Sequence, residues 1–112
     1  MTVSAKALIN SKQASNVATT EYSVPANTKT IIDKFTATNT TAGAVTLTVH
    51  LVPSGQTAST SNKILDAYSI AANTFLDLPQ MQNQVLEAGD SISVLASAAT
   101  SLTIRSSGRE VT

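Results

Sequence analysis

The stretch Ala44-Val-Thr-Leu-Thr-Val-His-Leu-Val-Pro53 alternates strictly between apolar and polar side chains, with threonines and the single histidine, His50, on the polar positions. Successive side chains of a β-strand point to opposite faces, so this period of two predicts a strand with one face in a core. The other face carries threonine where a solvated sheet usually carries Lys and Glu. We therefore expect a β-sandwich whose outer faces are suited to packing among neighbouring subunits.

The composition supports a single β-rich domain. The 112 residues are 42% hydrophobic but only 12% charged, about half the usual share of roughly 25%. Ser and Thr fill the gap, which favours strands over helices or disorder. The chain is long enough to bury a core unaided. It contains no cysteine, which excludes a disulfide scaffold and thiolate metal sites.

The charge balance argues against two classes of partner. Seven basic and seven acidic side chains cancel, so no basic excess favours nucleic-acid binding. No apolar run approaches the roughly 18 residues of a membrane-spanning helix. The segment Met1–Asn10 has no apolar core of signal-peptide length, so we expect an uncleaved product assembled in the cytoplasm.

The remaining sequence divides into short strands separated by turns. The turns at Pro25–Thr28, Ala71–Thr74 and Glu87–Asp90 contain the Pro, Asn, Gly and Asp residues that turns require. About eight strands at this spacing predict an all-β fold, a single antiparallel β-sandwich of jelly-roll or immunoglobulin-like type. We assign residues 24–112 to the sandwich domain and residues 1–23 to an N-terminal arm or to its first strands.

Four segments carry more specific expectations. Residues 29–38 do not alternate cleanly, and a β-bulge near Asp33 would restore consistent burial. Asn39–Gly43 is predicted to form a hairpin loop into the following strand. Pro53–Asn62, the longest polar segment, is predicted to be an exposed loop. Gly108–Thr112 is expected to continue the last strand as an edge.

The sequence offers few candidates for chemistry. His50 is expected to be a surface or interface residue. Asp66 and Asp77 would face each other only if residues 64–70 paired with residues 75–78, an arrangement that would favour a glycosidase; we expect two separate surface carboxylates instead. We expect Asp90 to stabilise its turn by accepting backbone N–H bonds and not to bind calcium. The sequence thus predicts no catalytic, cofactor-binding or metal-binding residue, and no enzyme.

The surface composition favours assembly. Ser and Thr lose less rotamer entropy on immobilisation than long charged side chains, and interface cores are depleted in Lys and Glu. Val52 and Leu95, both on outward-facing positions, would add apolar contact area. The aromatic residues favour sugar stacking less, because Trp is absent and most of the four occupy positions compatible with a core; they are Tyr22, Phe35, Tyr68 and Phe75.

Four motifs resemble small virion structural proteins of tailed bacteriophages. They are Val-Pro-Ala-Asn-Thr (24–28), Thr-Ala-Thr-Asn-Thr-Thr-Ala-Gly (36–43), Val-Thr-Leu-Thr-Val-His-Leu-Val-Pro-Ser-Gly (45–55) and Leu-Glu-Ala-Gly-Asp-Ser-Ile-Ser-Val (86–94). The chain most resembles capsid decoration or cement proteins with a jelly-roll-like sandwich. The likeness spans about residues 22–111 and consists of strand and turn patterns, not of catalytic signatures.

The resemblance implies a non-enzymatic virion component that stabilises the phage head. Its partners would be further copies of the chain, as a dimer or trimer, and the major capsid protein, and it would reside in the virion. The alternative is a tail- or fibre-associated module that binds host glycan, with Pro53–Asn62 as the contact loop. Met1–Ser23, with Lys6 and Lys12, would be either an arm that adds a strand to a neighbour or a plain first strand.

Overall fold

The computed structural model describes residues 1–112 and contains nine β-strands with two short 3₁₀ turns, at Thr60–Asn62 and Pro79–Met81. The strands are β1 (Val3–Gln13), β2 (Thr19–Ser23), β3 (Lys29–Asn39), β4 (Val45–Val52), β5 (Lys63–Ile70), β6 (Phe75–Asp77), β7 (Val85–Leu86), β8 (Ser91–Ala96) and β9 (Leu102–Val111).

Two antiparallel sheets face each other. Sheet A has the strand order β1-β9-β3-β6, with β7 also paired to β3, and sheet B has the order β2-β8-β4-β5. The predicted all-β antiparallel sandwich is confirmed. Sheet A has five strands and sheet B has four, because the two short strands β6 and β7 pair with opposite ends of β3. Pro79 begins the 3₁₀ turn between them, since proline cannot donate to a sheet ladder.

The core lies between the two sheets and follows the alternation of the sequence. Most inward apolar side chains of β4, β8 and β9 are buried, and Leu51 is partly buried; the buried ones are Val45, Leu47, Val49, Ile92, Val94, Ala96, Leu102 and Ile104. They belong to one hydrophobic cluster that also contains Phe35 and Met81. Burial of this apolar surface is the main stabilising term for a chain without disulfides.

The predicted bulge in β3 is confirmed. The register of β3 against β9 shifts between Ile32 and Lys34, so Asp33 is the extra residue. The bulge allows Ile32 and Phe35 both to reach 0% exposure, although strict alternation would place them on opposite faces.

The predicted hairpin at Asn39–Gly43 is wrong, because β3 and β4 lie in different sheets. The segment is a crossover corner held by the buried Asn39 side chain. Its Nδ2 donates to the carbonyls of Gly43 and Ile70, each at 2.9 Å, and its Oδ1 accepts from the Thr41 N–H at 2.9 Å. The residues of this segment correctly predicted that the chain turns here. They carry no information about which sheet the next strand joins.

The predicted position of the C-terminal segment is wrong in one respect. Residues 108–111 continue β9, as expected, but β9 lies between β1 and β3 and is not an edge strand. The edge position belongs to β1, which pairs with β9 of the same chain from Val3 to Gln13. Each strand of a sandwich alternates in the same way whether central or at an edge, so the pattern could not separate the two.

The sheet edges are interrupted. Register shifts break β1 after Ala7 and after Ile9, and β2 after Thr20. In β5 the segment Asp66–Ala67 is inserted opposite Thr48 of β4, and Ala67 has a φ of 46°. The remaining edge consists of the very short β6 and β7. Bulges and short edge strands are the devices by which natural sheets avoid uncontrolled edge pairing.

The turns follow their predicted chemistry. Asn27 and Asn73 both adopt a left-handed conformation with φ of 57°, which asparagine tolerates better than most residues. Asp90 closes its own turn by accepting the Glu87 N–H on Oδ2 at 2.9 Å, and it accepts the Ser54 N–H on Oδ1 at 2.9 Å. The expectation that Asp90 stabilises the turn is confirmed.

Candidate functional site

The outer face of sheet B is partly covered by the chain itself. Thr48, His50 and Val52 point away from the core yet are only 5–7% exposed. The 3₁₀ turn at Thr60–Asn62 contacts β4. A cleft lined by residues of β2, β4, β8 and the loop at 56–58 lies beside Val52. The expectation that this strand face is open to neighbours is therefore wrong for these three side chains.

The long loop after β4 is exposed along most of its length but anchored at its end. Asn62 is buried, and its Nδ2 donates to the Thr57 carbonyl at 2.9 Å. Its Oδ1 accepts the Ser59 N–H at 3.0 Å. These bonds hold the loop in a fixed turn, which explains how a segment without large apolar side chains can cover part of the sheet.

His50 occupies an unusual environment for a residue on an outward position. It is 6% exposed, and its Nδ1 has no hydrogen-bond partner in the chain. Burial and the nearby Lys63 ammonium lower the pKa of His50, while Asp66 acts in the opposite direction. His50 is thus a buried, neutral imidazole and not an accessible acid-base group.

The two carboxylates that a glycosidase would need are not brought together. Asp66 lies in β5 of sheet B and Asp77 lies in β6 of sheet A, so the pairing that would oppose them does not form. Each forms an ion pair within its own sheet, Asp66 with Lys63 at 3.1 Å and Asp77 with Lys34 at 3.6 Å. The structure places them as separate surface carboxylates.

A polar network ties the two sheets together at one side of the sandwich. The Tyr22 hydroxyl of β2 lies 2.7 Å from Thr30 Oγ1 of β3 and donates to Glu110 of β9. Lys6 of β1 forms an ion pair with the same carboxylate at 3.3 Å. Burial, and then the hydrogen bond to Glu110, raise the pKa of Tyr22 to about 12. The arrangement holds the phenol in its protonated, donating form.

A second ion pair closes the same side. Lys12 of β1 lies 2.6 Å from Glu21 of β2, whose side chain is only 3% exposed. Lys6 is therefore paired within sheet A, whereas Lys12 reaches across the gap to sheet B. The contact between Lys12 and Glu21 could not be predicted from the sequence, because it depends on β1 and β2 being the neighbouring edges of opposite sheets.

The outer face of sheet A carries the feature that sequence reasoning missed. Lys34, Thr36, Arg105 and Ser107 line an open cleft of about 180 Å³. Arg105 points outward because it follows the buried Ile104 in β9. Lys34 lies on the same face because it alternates with the buried Phe35, and it pairs with Ser107 across the strands. The pairing of β3 with β9, which brings these side chains together, has no signature in the sequence.

Two of the four aromatic side chains are exposed, which corrects the expectation that most occupy the core. Phe35 and Tyr22 are buried, whereas Tyr68 is 50% and Phe75 is 76% exposed. Both lie at the side where β5 and β6 form the sheet edges, around a cleft of about 180 Å³ with no charged lining residue. Tyr68 pairs with the buried Leu47 and faces inward at the open side of the sandwich, whereas Phe75 pairs with the exposed Thr38 and faces outward.

No group of three or more His, Cys, Asp or Glu side chains is arranged to hold a metal ion. No helix has the length and apolar character needed to cross a membrane.

Comparisons with known proteins identify the fold alone. No protein-family model matches the chain, and no curated protein matches it. A subunit of Bacillus endospore appendages, described as a novel family of disulfide-linked pili, is similar over 99% of this chain and 88% of its own, with a TM-score of 0.60 and 15% identity. A chain of infectious bursal disease virus, Gx strain, is similar over 97% of this chain, with a TM-score of 0.54 and 14% identity.

The chain differs from these proteins in length and in cysteine chemistry. The chain spans about a third of the viral chain, 32%. It contains no cysteine, so the disulfide linkage of the appendages has no counterpart here. At 14–15% identity, these similarities show only that the chain shares its fold with these proteins.

Proposed function

We propose that the chain is a non-enzymatic structural subunit of an assembled particle and, more specifically, a virion protein that decorates and stabilises a phage capsid. The observation that carries this proposal is the internal pairing of charge. Six ion pairs engage twelve of the fourteen charged side chains within the chain, so a subunit that covers this surface buries few charges without a partner.

The strand order supports the same proposal. The sheet order β1-β9-β3-β6 facing β2-β8-β4-β5 agrees with a jelly roll, a fold common among viral capsid domains. The fold alone does not define function. The similarity to a chain of a virus particle and to a subunit of a pilus agrees with a role in assembly.

Further copies of the chain, as a dimer or trimer, and the major capsid protein are the proposed partners. Because the sheet edges are interrupted, we propose that contacts use the sheet faces and the loops and not edge-to-edge strand pairing. Residues 1–23 contribute one edge strand to each sheet, which favours their assignment as the first strands of the sandwich over a free arm.

Co-sedimentation with shells tests this function. Phage shells lacking the protein are incubated with the purified chain and pelleted, while light scattering measures the mass of the free chain. Saturable binding, together with a dimer or trimer in solution, is the expected result. A chain that stays monomeric and remains in the supernatant would contradict the proposal.

One observation favours the alternative, a tail- or fibre-associated module that binds glycan. Aromatic faces stack on sugars, and the exposed Tyr68 and Phe75 border one uncharged cleft. A glycan array with the Tyr68→Ala variant distinguishes the two functions. Binding that is lost in this variant would support glycan recognition, and absence of binding in the wild-type chain would argue against it.

A further inference from the structure

One of the basic side chains of the molecule forms no ion pair within the chain. The chain has seven Lys and Arg residues, and six of them form ion pairs: Lys6, Lys12, Lys29, Lys34, Lys63 and Arg109. Arg105 is the seventh, and it is exposed. A surface arginine without an internal partner is a frequent anchor of protein interfaces.

Arg105 lies on the outer face of sheet A, on the strand between β1 and β3. Its cross-strand partner is Thr36, and the neighbouring pair is Lys34 with Ser107. Together these four residues line an open cleft of about 180 Å³ that has no apolar member. Lys34 Nζ lies 3.6 Å from Asp77 Oδ2, so the positive charge of Lys34 is paired within the chain. The positive charge of Arg105 is the one in the cleft that has no acidic partner.

Two bulges shape this cleft. On one side, β1 places Asn10 and Ser11 together opposite Arg105, because Ile9 pairs with Ser106 and Lys12 with Ile104. On the other side, the Asp33 bulge of β3 brings Lys34 onto the same face. Bulges re-aim side chains and recur beside functional sites. The sheet is irregular on both flanks of its one unpaired cation.

We propose that this cleft binds a carboxylate presented by a protein of different sequence. A guanidinium pairs with a carboxylate through two parallel N–H bonds, and the hydroxyls of Thr36 and Ser107 can donate to the same group. This inference rests on the proposed function, in which the partner is the shell protein.

The acidic side chains of the chain itself favour a partner other than a second copy. Six carboxylates already form ion pairs, and the seventh, Asp90, accepts two backbone N–H bonds. The negative charge of every acidic side chain in a second copy is therefore partly compensated, which weakens its attraction to Arg105. A protein with an unpaired surface Asp or Glu has no such compensation.

An NMR titration of the full chain tests the cleft. Sodium acetate and a short oligo-glutamate peptide are added at ionic strength matched with sodium chloride, and inorganic phosphate is added in a separate series. Acetate and the peptide are expected to shift the resonances of Arg105, Thr36 and Ser107. Arg105→Gln should abolish these shifts, whereas Lys29→Gln, at the far end of β3, should retain them. The unfolding midpoint of both variants confirms that they remain folded.

Several results would overturn the inference. They are the absence of shifts beyond those caused by chloride, a response to phosphate but not to carboxylates, or a dimer that depends on Arg105. Shell binding then separates this inference from the proposed function. Arg105→Gln should weaken binding to shells about fivefold or more. Equal binding of wild type and variant would overturn the inference alone, and no binding of wild type would overturn the proposed function while the titration still decides the cleft.

Discussion

At the scale of single residues, buried polar side chains fix how the two sheets meet. The Tyr22 hydroxyl bridges Thr30 and Glu110 from the opposite sheet, and Asn39 satisfies three backbone or side-chain groups at a crossover. Such groups stabilise a fold only when every partner is present, because an unpaired buried polar atom costs more than a hydrogen bond contributes.

Removing the Tyr22 hydroxyl should destabilise the fold. Tyr22→Phe leaves Thr30 and Glu110 without a buried partner, so we expect a loss of about 1–3 kcal/mol in the free energy of unfolding, measured by urea denaturation. Tyr68→Phe is the matched control, because Tyr68 is half exposed and its hydroxyl makes no hydrogen bond. A similar effect of both substitutions would contradict the role assigned to the network.

The same tyrosine should make stability fall at high pH. Its pKa is about 12 in the folded chain and about 10 when unfolded, so the unfolded state loses the proton first. Stability should therefore decrease as the pH rises from 10 towards 12, by at most about 1.4 kcal/mol per pH unit from this group. The difference in slope between wild type and Tyr22→Phe isolates its contribution.

Acid should weaken the fold through His50. Its pKa is lowered in the folded state, so the unfolded state binds the proton first as the pH falls below about 6.5. The contribution is absent above that pH and grows until the folded-state pKa is reached. Urea denaturation at several pH values should show this loss, and His50→Gln should reduce the slope between pH 6.5 and 5. An unchanged slope would mean that His50 is solvated.

At the scale of elements, the strands beside the bulge of β3 leave the least room for a side chain. Gly108 of β9 lies opposite Ile32, beside the bulge of β3. A Cβ at Gly108 would lie 2.2 Å from the Ile31 carbonyl oxygen and 2.9 Å from a Leu8 methyl group. The close approach of three strands at this point therefore depends on the absence of a side chain.

Gly108→Ala should consequently cost about 2–3 kcal/mol of stability, because the backbone must move to accept the methyl group. Gly43→Ala is the control, since a Cβ there meets nothing within 4 Å. Thermal or chemical denaturation of both variants measures the difference. Equal stabilities would show that the strand spacing at Ile31 is looser than the structure indicates.

The same elements show how far sequence reasoning reaches. Alternation correctly placed Leu47, Val49 and Ile92 in the core, and its failure at Asp33 correctly predicted a bulge. Pairing between distant strands has no local signature, so the crossover at Asn39 and the central position of β9 were not predicted. The cleft at Arg105 depends on alternation within β3 and β9 and also on the pairing of these two strands. Because the pairing has no local signature, the cleft could not be predicted from the sequence.

At the scale of the whole molecule, most charged side chains form ion pairs with each other within the chain, and bulges and short strands interrupt the sheet edges. Both features favour defined contacts through faces and loops over open-ended strand addition. The chain's own loop covers part of the outer face of sheet B, so less of that face is open to partners than the sequence implied. Sheet A, with its unpaired Arg105, is the more suitable face for a shell.

The most direct test of the central claim is the temperature at which phage shells disassemble, measured by light scattering with and without the added chain. A capsid-stabilising subunit should raise that temperature in proportion to occupancy and reach a plateau when all sites are filled. A disassembly temperature that stays the same at every concentration of the chain would contradict the account.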